Sequence, residues 1–196
     1  MNIGIDIDGT LTDIIDELKL AAEKYANKLG KEIKDNKYVE DRNNGNTYQI
    51  KYGFTYEELK YFLGVIQEEI TKKAEPREGC VEVINKLHDE GHKIYIITAR
   101  DSEFHEDPYE LSKNWLDKNN IYYDKLIVNA RSKAPVCKTE KIDIFIDDQL
   151  NNCVDVSKAG IRTIRISNDD NLYENIETLL NWSEIYDNIN DNRKKL

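Results

Sequence analysis

The sequence predicts a doubly wound α/β fold, with a parallel sheet flanked by helices and a small, mainly helical cap inserted after the first strand. Residues 94–97, 142–146 and 161–166 are nearly continuous aliphatic runs, typical of parallel strands buried on both faces. From Pro76 onward, helical and strand patterns alternate, which is the order that builds such a sheet. Residues 13–75 interrupt this alternation, and we interpret them as the cap.

The predicted core comprises residues 1–12 and 76–196, and it begins with a strand over residues 2–7. Isoleucines occupy one face of this strand, whereas a glycine and two aspartates occupy the other. The predicted cap, residues 13–75, is entered by a helix over residues 12–29, where apolar side chains recur at helical spacing.

The middle of the cap is polar and gives a weaker pattern. Residues 31–54 are rich in Lys, Asp and Asn, which predicts mainly loop with short pieces of helix. A helix is expected over residues 55–73, because Thr55 and Glu58 have the form of a capping box and an apolar stripe follows them.

The remaining predicted elements alternate between helix and strand. They are helix 79–90, strand 93–98, helix 108–118, strand 125–128, helix 134–140, strand 142–146, helix 149–159, strand 161–166 and a last helix over about 172–186.

The composition argues against several classes of function. The 196 residues carry a formal net charge of −10, and the pI is near 4.9, which argues against nucleic-acid polymers and anionic membranes as partners. No apolar run approaches the roughly 20 residues of a membrane span, and no signal-peptide pattern follows Met1, so we expect a cytoplasmic protein. Three widely separated cysteines predict neither a disulfide framework nor a cysteine metal site.

Ligands of open α/β sheets bind beyond the carboxyl ends of the strands. The polar residues expected at this edge are Asp6, Asp8, Thr98, Asp147 and Asp148, joined by Lys133 at the start of a short helix. Carboxylates this close repel one another unless a cation intervenes, and Mg²⁺ is the usual hard cation for such a set. A metal and an ammonium can neutralise phosphate oxygens while one aspartate attacks phosphorus and another exchanges a proton.

These residues carry a resemblance. Asp6-Ile7-Asp8-Gly9-Thr10-Leu11 after an aliphatic strand, then Thr98, Lys133 and Asp147-Asp148, resemble in order the four motifs of the haloacid dehalogenase-type (HAD) phosphatases. The resemblance implies a Rossmann-like core with a type-one cap and a Mg²⁺-dependent reaction through an aspartyl-phosphate.

The resemblance also assigns roles to individual residues. Asp6 is then the nucleophile and Asp8 the general acid and base. The metal ligands implied are Asp6, Asp8 through its backbone carbonyl, Asp147 and Asp148, and the phosphate ligands are Thr98, Ala99 and Lys133. Lys138 and Lys141 remain rival phosphate ligands; we favour Lys133, because it starts a helix where free backbone N–H groups face the same anion.

Within the superfamily, Ile97-Thr98-Ala99-Arg100 and the stretch from Lys133 to Asp148 are similar to the 5′(3′)-deoxyribonucleotidases and their bacterial relatives. This finer resemblance implies a 5′-nucleotidase that acts on (deoxy)nucleoside monophosphates.

Substrate choice is expected to lie in the cap. Tyr48, Tyr52 and Phe54 are candidates for stacking on a base, although cap aromatics equally suit an apolar core. Arg100 is a candidate for contacting phosphate or a carboxylate of the cap, with a surface salt bridge as the alternative.

Other functions stay open at this point. A phosphatase for a sugar phosphate or another small metabolite would use the same core. A receiver-like phospho-aspartate signalling module shares the residue types but not their order along the chain. The expected assembly is a monomer or a homodimer.

Overall fold

The computed structural model describes residues 1–34, 47–169 and 173–193, with only the backbone for Asn192 and Arg193. Six strands form one parallel sheet in the order β3-β2-β1-β4-β5-β6. They are β1 (Asn2–Ile5), β2 (Lys93–Ile97), β3 (Lys125–Ile127), β4 (Ile144–Asp147), β5 (Arg162–Ile166) and β6 (Ile176–Leu179). The prediction of a doubly wound parallel sheet is therefore confirmed.

Helices connect the strands. They are α1 (Ile15–Lys28), α2 (Thr47–Tyr52), α3 (Tyr56–Tyr61), α4 (Glu68–Lys73), α5 (Cys80–Asp89), α6 (Pro108–Lys118), α7 (Lys133–Thr139), α8 (Leu150–Lys158) and α9 (Trp182–Arg193). A π-helical segment, Phe62–Gln67, joins α3 to α4. In the described ranges, no helix combines the length and hydropathy needed to cross a bilayer.

The sheet is buried on both faces, as its aliphatic strands predict. Ile144 and Ile146 pack into a cluster with apolar residues of α5, α6 and α9, whereas Phe145 between them packs with residues of α7 and α8. Every residue of β4 is buried. This double cover fixes the central strands and holds the loops at their carboxyl ends in place.

Helices α1, α2 and α3 and the π-helical segment have an apolar cluster of their own. Its buried members are Ala22, Ala26, Tyr52, Phe54, Leu59, Phe62 and Leu63. Thr12 and Pro76 form an antiparallel bridge. The two ends of the predicted insertion therefore lie next to each other. The division into core and cap domains stays a prediction, and this separate cluster supports it.

The structure corrects the last predicted element. The helix expected over about 172–186 is replaced by β6, which pairs with β5 at the sheet edge, and by α9, which begins only at Trp182. Arg162 donates from Nε to Glu177 Oε1 at 2.7 Å, which ties the edge strand to its neighbour. Asn181 Oδ1 accepts from the Glu184 backbone N–H at 2.9 Å and so caps the later helix.

The polar middle of the cap is only partly described. Residues 35–46 of the stretch predicted to be mainly loop lie outside the described residues. The described remainder contains the short helix α2.

Candidate active site

The two central strands bring the acidic motifs together. Ile5 of β1 is in register with Ile146 of β4, so Asp6 and Asp147 follow at adjacent strand ends. The backbone N–H of Asp6 donates to the Ile146 carbonyl at 3.0 Å. One carboxylate oxygen from each of Asp6, Asp147 and Asp148 lies within 4.8 Å of the others. The predicted convergence at the sheet edge is therefore present in the structure.

Ionising all the carboxyl groups of this buried acidic cluster is unfavourable unless a cation is present. Burial, followed by the nearby charge of Asp6, raises the pKa of Asp148 to about 7. Burial, followed by the charge of Asp6, also holds the pKa of Asp147 well above its usual range. Burial raises the pKa of Asp6 as well, although Lys133 opposes this shift. Three neighbouring carboxyl groups cannot all ionise unless a positive charge balances them. Their oxygens are hard ligands, so the set fits a divalent cation such as Mg²⁺.

Lys133 is buried against the same carboxylate. Its ammonium donates to Asp6 Oδ1 at 2.5 Å and also to the Ile97 carbonyl at the end of β2. The side chain is 1% exposed. The sequence left Lys138 and Lys141 open as rivals, and both are exposed. Lys133 is therefore the lysine that the structure places beside Asp6.

The loop after β1 needs glycine at position 9. Gly9 has φ +90°, and a Cβ atom there would lie 2.4 Å from Asp148 Oδ2. Thr10, the next residue, donates from Oγ1 to Asp148 Oδ1 at 3.3 Å and accepts from the Asp148 backbone N–H at 3.0 Å. Trp182 of α9 donates from Nε1 to the Thr10 carbonyl at 3.3 Å. These contacts hold Asp148 against the loop that carries Asp6.

Asp147 is oriented from the helix that follows it. Its Oδ1 accepts from the Gln149 backbone N–H at 2.7 Å, and its Oδ2 accepts from Asn152 Nδ2 at 2.8 Å. Sequence reasoning missed Asn152. The available signal was its position five residues after Asp147, in the first turn of α8.

Asp8 is held by Arg100 rather than by the acidic cluster. Arg100 donates to both carboxylate oxygens, from Nε to Oδ2 at 2.9 Å and from Nη2 to Oδ1 at 2.7 Å. Its Nη1 donates to Ser112 Oγ at 3.3 Å. Burial alone would raise the pKa of Asp8, but the guanidinium charge and hydrogen bonds hold it below its usual value. The structure thus pairs Arg100 with a carboxylate of the core, and because its side chain is 2% exposed this is not the surface salt bridge that the sequence left as the alternative. Its contact with phosphate stays a prediction.

Thr98 and Ala99 follow β2 on the same edge. The Thr98 hydroxyl oxygen accepts from the Arg100 backbone N–H at 3.3 Å, and the Thr98 carbonyl accepts from the Ala130 N–H at 3.0 Å. Thr98 is buried, whereas Ala99 is exposed. Both residues line the cavity that contains Asp6 and Asp8.

This cavity has a volume of about 620 Å³, and residues of the helical insertion complete its wall. Among the predicted base-stacking residues, Tyr48 lines it. Tyr52 and Phe54 are 2% and 3% exposed and belong to the cluster inside the insertion, so the structure does not bring them to the cavity. The Tyr48 ring packs against Phe62 with 4.7 Å between centroids.

Residues 101–105 of the core contact the insertion directly. His105 Nδ1 and Glu68 Oε2 of α4 lie 3.2 Å apart. Gly64 abuts the Phe104 carbonyl so closely that a Cβ atom would lie 2.4 Å from that oxygen. Asp101 Oδ1 accepts from the backbone N–H groups of Glu103 and Phe104, which fixes the turn between these contacts.

Comparisons with known proteins agree with this geometry. The family model described as 5′ nucleotidase, deoxy (Pyrimidine), cytosolic type C protein matches residues 1–195. A nucleotidase of Clostridium acetobutylicum is 30% identical over 190 residues, which cover 95% of this chain and 92% of that protein. A haloacid dehalogenase-like hydrolase from Streptococcus pneumoniae has a TM-score of 0.68 at 14% identity, with 96% of this chain and 97% of that chain covered. A HAD hydrolase from Entamoeba histolytica also has a TM-score of 0.68, at 14% identity and 94% coverage of both chains.

Proposed function

Since this chain belongs to the cytosolic type C family of 5′ nucleotidases and is a phosphoric monoester hydrolase, we propose that it hydrolyses (deoxy)nucleoside 5′-monophosphates through an aspartyl-phosphate on Asp6. The observation that carries the proposal is the buried pairing of Asp6 with Lys133 beside the carboxylates of Asp147 and Asp148. This arrangement leaves one carboxylate flanked by an ammonium and by donors suited to a divalent cation.

The proposed first step forms a bond between an Asp6 carboxylate oxygen and phosphorus, and it breaks the bond from phosphorus to the ester oxygen. Asp8 gives its proton to that departing oxygen. Lys133 and the Thr98 hydroxyl bind oxygens of the transferring phosphoryl group, where negative charge is concentrated. In the second step water attacks phosphorus, and the bond from phosphorus to the Asp6 oxygen breaks. Asp8 takes a proton of that water, and the free Asp6 carboxylate and inorganic phosphate result.

Asp6, Asp147 and Asp148 would hold Mg²⁺, and the backbone carbonyl of Asp8 would complete the protein ligands. When bound, the cation supplies positive charge that lets the clustered carboxylates ionise and that neutralises phosphate oxygens. Asn152 and Thr10 fix the two later carboxylates for that task by the hydrogen bonds described above.

We further propose that residues 13–75 act as a cap over the core, residues 1–12 and 76–196. The nucleoside would occupy the part of the cavity that the insertion lines, with Tyr48 as the candidate stacking residue. Closing the cap would exclude bulk water during phosphoryl transfer.

The test is phosphate release from a panel of nucleoside 5′- and 3′-monophosphates, deoxynucleotides and sugar phosphates, with Mg²⁺ or with a chelator. We expect Mg²⁺-dependent release concentrated on 5′-nucleotides. Asp6→Asn is the control, because it removes the nucleophile with little change in side-chain volume; it should fold normally and release no phosphate. Release confined to sugar phosphates, or near wild-type turnover by Asp6→Asn, would contradict the proposal.

A further inference from the structure

The cavity contains a polar group that phosphate chemistry does not use. Gln67, at the end of the π-helical segment, lines the same cavity as Asp6 and Asp8. Its Oε1 is buried and has no hydrogen-bond partner among the described residues. Buried amide oxygens are nearly always satisfied, so an unsatisfied one beside a cavity indicates a ligand that supplies a donor.

The backbone around Gln67 is fixed against the core rather than free to slide. The π-helical segment Phe62–Gln67 has wider turns than an α-helix, a feature that is frequent at functional sites. Its Gly64 packs directly on the Phe104 carbonyl, where any Cβ atom would collide with backbone. The backbone that carries Gln67 is therefore held at a set position relative to the segment that follows Arg100.

Aromatic and aliphatic side chains that line the same cavity suit a flat ring. Tyr48 and Phe104 line the same cavity, together with the aliphatic side chains Leu59 and Leu63. Aromatic faces bind the rings of nucleobases by stacking, whereas a carboxamide offers one acceptor and two donors for a base edge. A neutral amide is a poor ligand for a second phosphate, which basic side chains bind better.

We propose that Gln67 is a specificity-determining residue that hydrogen-bonds the edge of the substrate nucleobase, where an N–H donor lies next to an acceptor. Its Oε1 accepts from the base N–H, and its Nε2 donates to the neighbouring base acceptor. This inference deepens the proposed nucleotidase function and depends on it. Gln67 acts on binding and selection of the nucleoside and takes no part in the proton or phosphoryl transfers.

The experiment compares dUMP and dCMP with 2-deoxyribose 5-phosphate, which has the same phosphate and sugar but no base. The variants are Gln67→Leu, which removes the amide at similar volume, and Gln67→Glu, which keeps an acceptor but adds a charge and removes the donor. Val65→Ala is the matched control, because Val65 lies on the same π-helical segment with its side chain exposed. Dissociation constants for the same ligands, measured in the Asp6→Asn background, separate binding from turnover.

For Gln67→Leu we expect kcat/KM for both nucleotides to fall about tenfold, the size of one to two lost neutral hydrogen bonds. The loss should lie mainly in KM and in the dissociation constant, while values for 2-deoxyribose 5-phosphate stay within about twofold. Gln67→Glu should show the same selective loss, and Val65→Ala none. Equal losses on all three substrates, or no loss on any, would overturn the inference while leaving nucleotidase activity intact. A wild-type protein that hydrolyses no nucleotide would overturn the proposed function and this inference together.

Discussion

Arg100 holds the carboxylate of Asp8 with two hydrogen bonds, at 2.9 Å from Nε and 2.7 Å from Nη2. Both partners are buried or nearly so, and Ser112 anchors the other end of the guanidinium. A two-pronged contact fixes the plane of the carboxylate as well as its distance, which a lysine cannot do. The group proposed to exchange protons in both steps is therefore positioned by a residue that need not touch the reacting atoms.

Arg100→Met should reduce kcat/KM about 100-fold, because the displaced carboxylate no longer reaches the departing oxygen reliably. The pH profile should also change in a defined direction. Arg100 lowers the pKa of Asp8, and the proposed first step requires protonated Asp8, so wild-type kcat/KM should fall as pH rises above that low pKa. Removing Arg100 raises the pKa, and the fall should begin at higher pH.

The matched control for this experiment is Arg131→Met. Arg131 also lines the cavity, but it pairs with Asp101 and Glu103 instead of Asp8. Its substitution should leave unchanged the pH at which kcat/KM begins to fall. If kcat/KM of Arg100→Met also falls at the same pH as wild type, the positioning role of Arg100 would be excluded.

Gly9→Ala should lower the affinity of the proposed site for Mg²⁺ in addition to lowering the stability of the fold. Gly160→Ala is the control, since both glycines have φ between +80° and +95° and only Gly9 has a neighbour where the Cβ would lie. Both variants should lose about 1–2 kcal/mol of unfolding free energy from backbone strain. The added methyl group of Gly9→Ala displaces the Asp148 carboxylate, so its half-saturating Mg²⁺ concentration should rise about 10- to 100-fold. Equal Mg²⁺ titrations of phosphate release for the two variants would contradict this expectation.

The sheet and the core of the site were predictable because both depend on short-range sequence signals. The aliphatic runs around Ile144 and Ile164 mark strands buried on two faces, and this burial places their carboxyl ends together. Asp6, Lys133 and Asp147 then meet without any knowledge of the insertion. Edge strand β6 escaped prediction because four residues paired on one side give a weak pattern, and its sequence also suits a helix.

Which residues line the cavity depends on tertiary contacts that sequence patterns do not reveal. Tyr48 and Tyr52 lie four residues apart on α2, yet one lines the cavity and the other fills the cluster within the insertion. The π-helical segment has the apolar spacing of an ordinary helix, so nothing in the sequence indicated that Gln67 would line the cavity. The partnership of Arg100 with Asp8 likewise depends on how the loops after β1 and β2 approach each other.

Gly64→Ala should destabilise the protein although it replaces glycine inside a helical stretch. Alanine is favoured over glycine in helices by about 1 kcal/mol, but here the methyl group would lie 2.4 Å from the Phe104 carbonyl oxygen. Backbone cannot rotate away as a side chain can, so we expect a net loss of about 1–3 kcal/mol in urea unfolding. Val65→Ala, whose exposed side chain leaves the segment intact, should stay within about 0.5 kcal/mol of wild type. A stabilised Gly64→Ala variant would show that this contact does not constrain the segment.

Asp148→Asn should make the metal-free protein less sensitive to pH. Burial and the charge of Asp6 raise the pKa of Asp148 to about 7 in the folded protein, against an ordinary value of 3.8. A carboxyl with a raised folded pKa contributes stability below its unfolded pKa, and this contribution is lost as pH rises through the folded pKa. With a chelator present, wild-type stability should therefore decline between about pH 4 and pH 7, and Asp148→Asn should decline less and exceed wild type above pH 7. Adding Mg²⁺ should stabilise wild type most at high pH, where the ligands are ionised, and should stabilise the variant less. Urea midpoints measured from pH 5 to 8.5, with the exposed-site variant Asp16→Asn as control, test this expectation; parallel curves for wild type and Asp148→Asn would refute it.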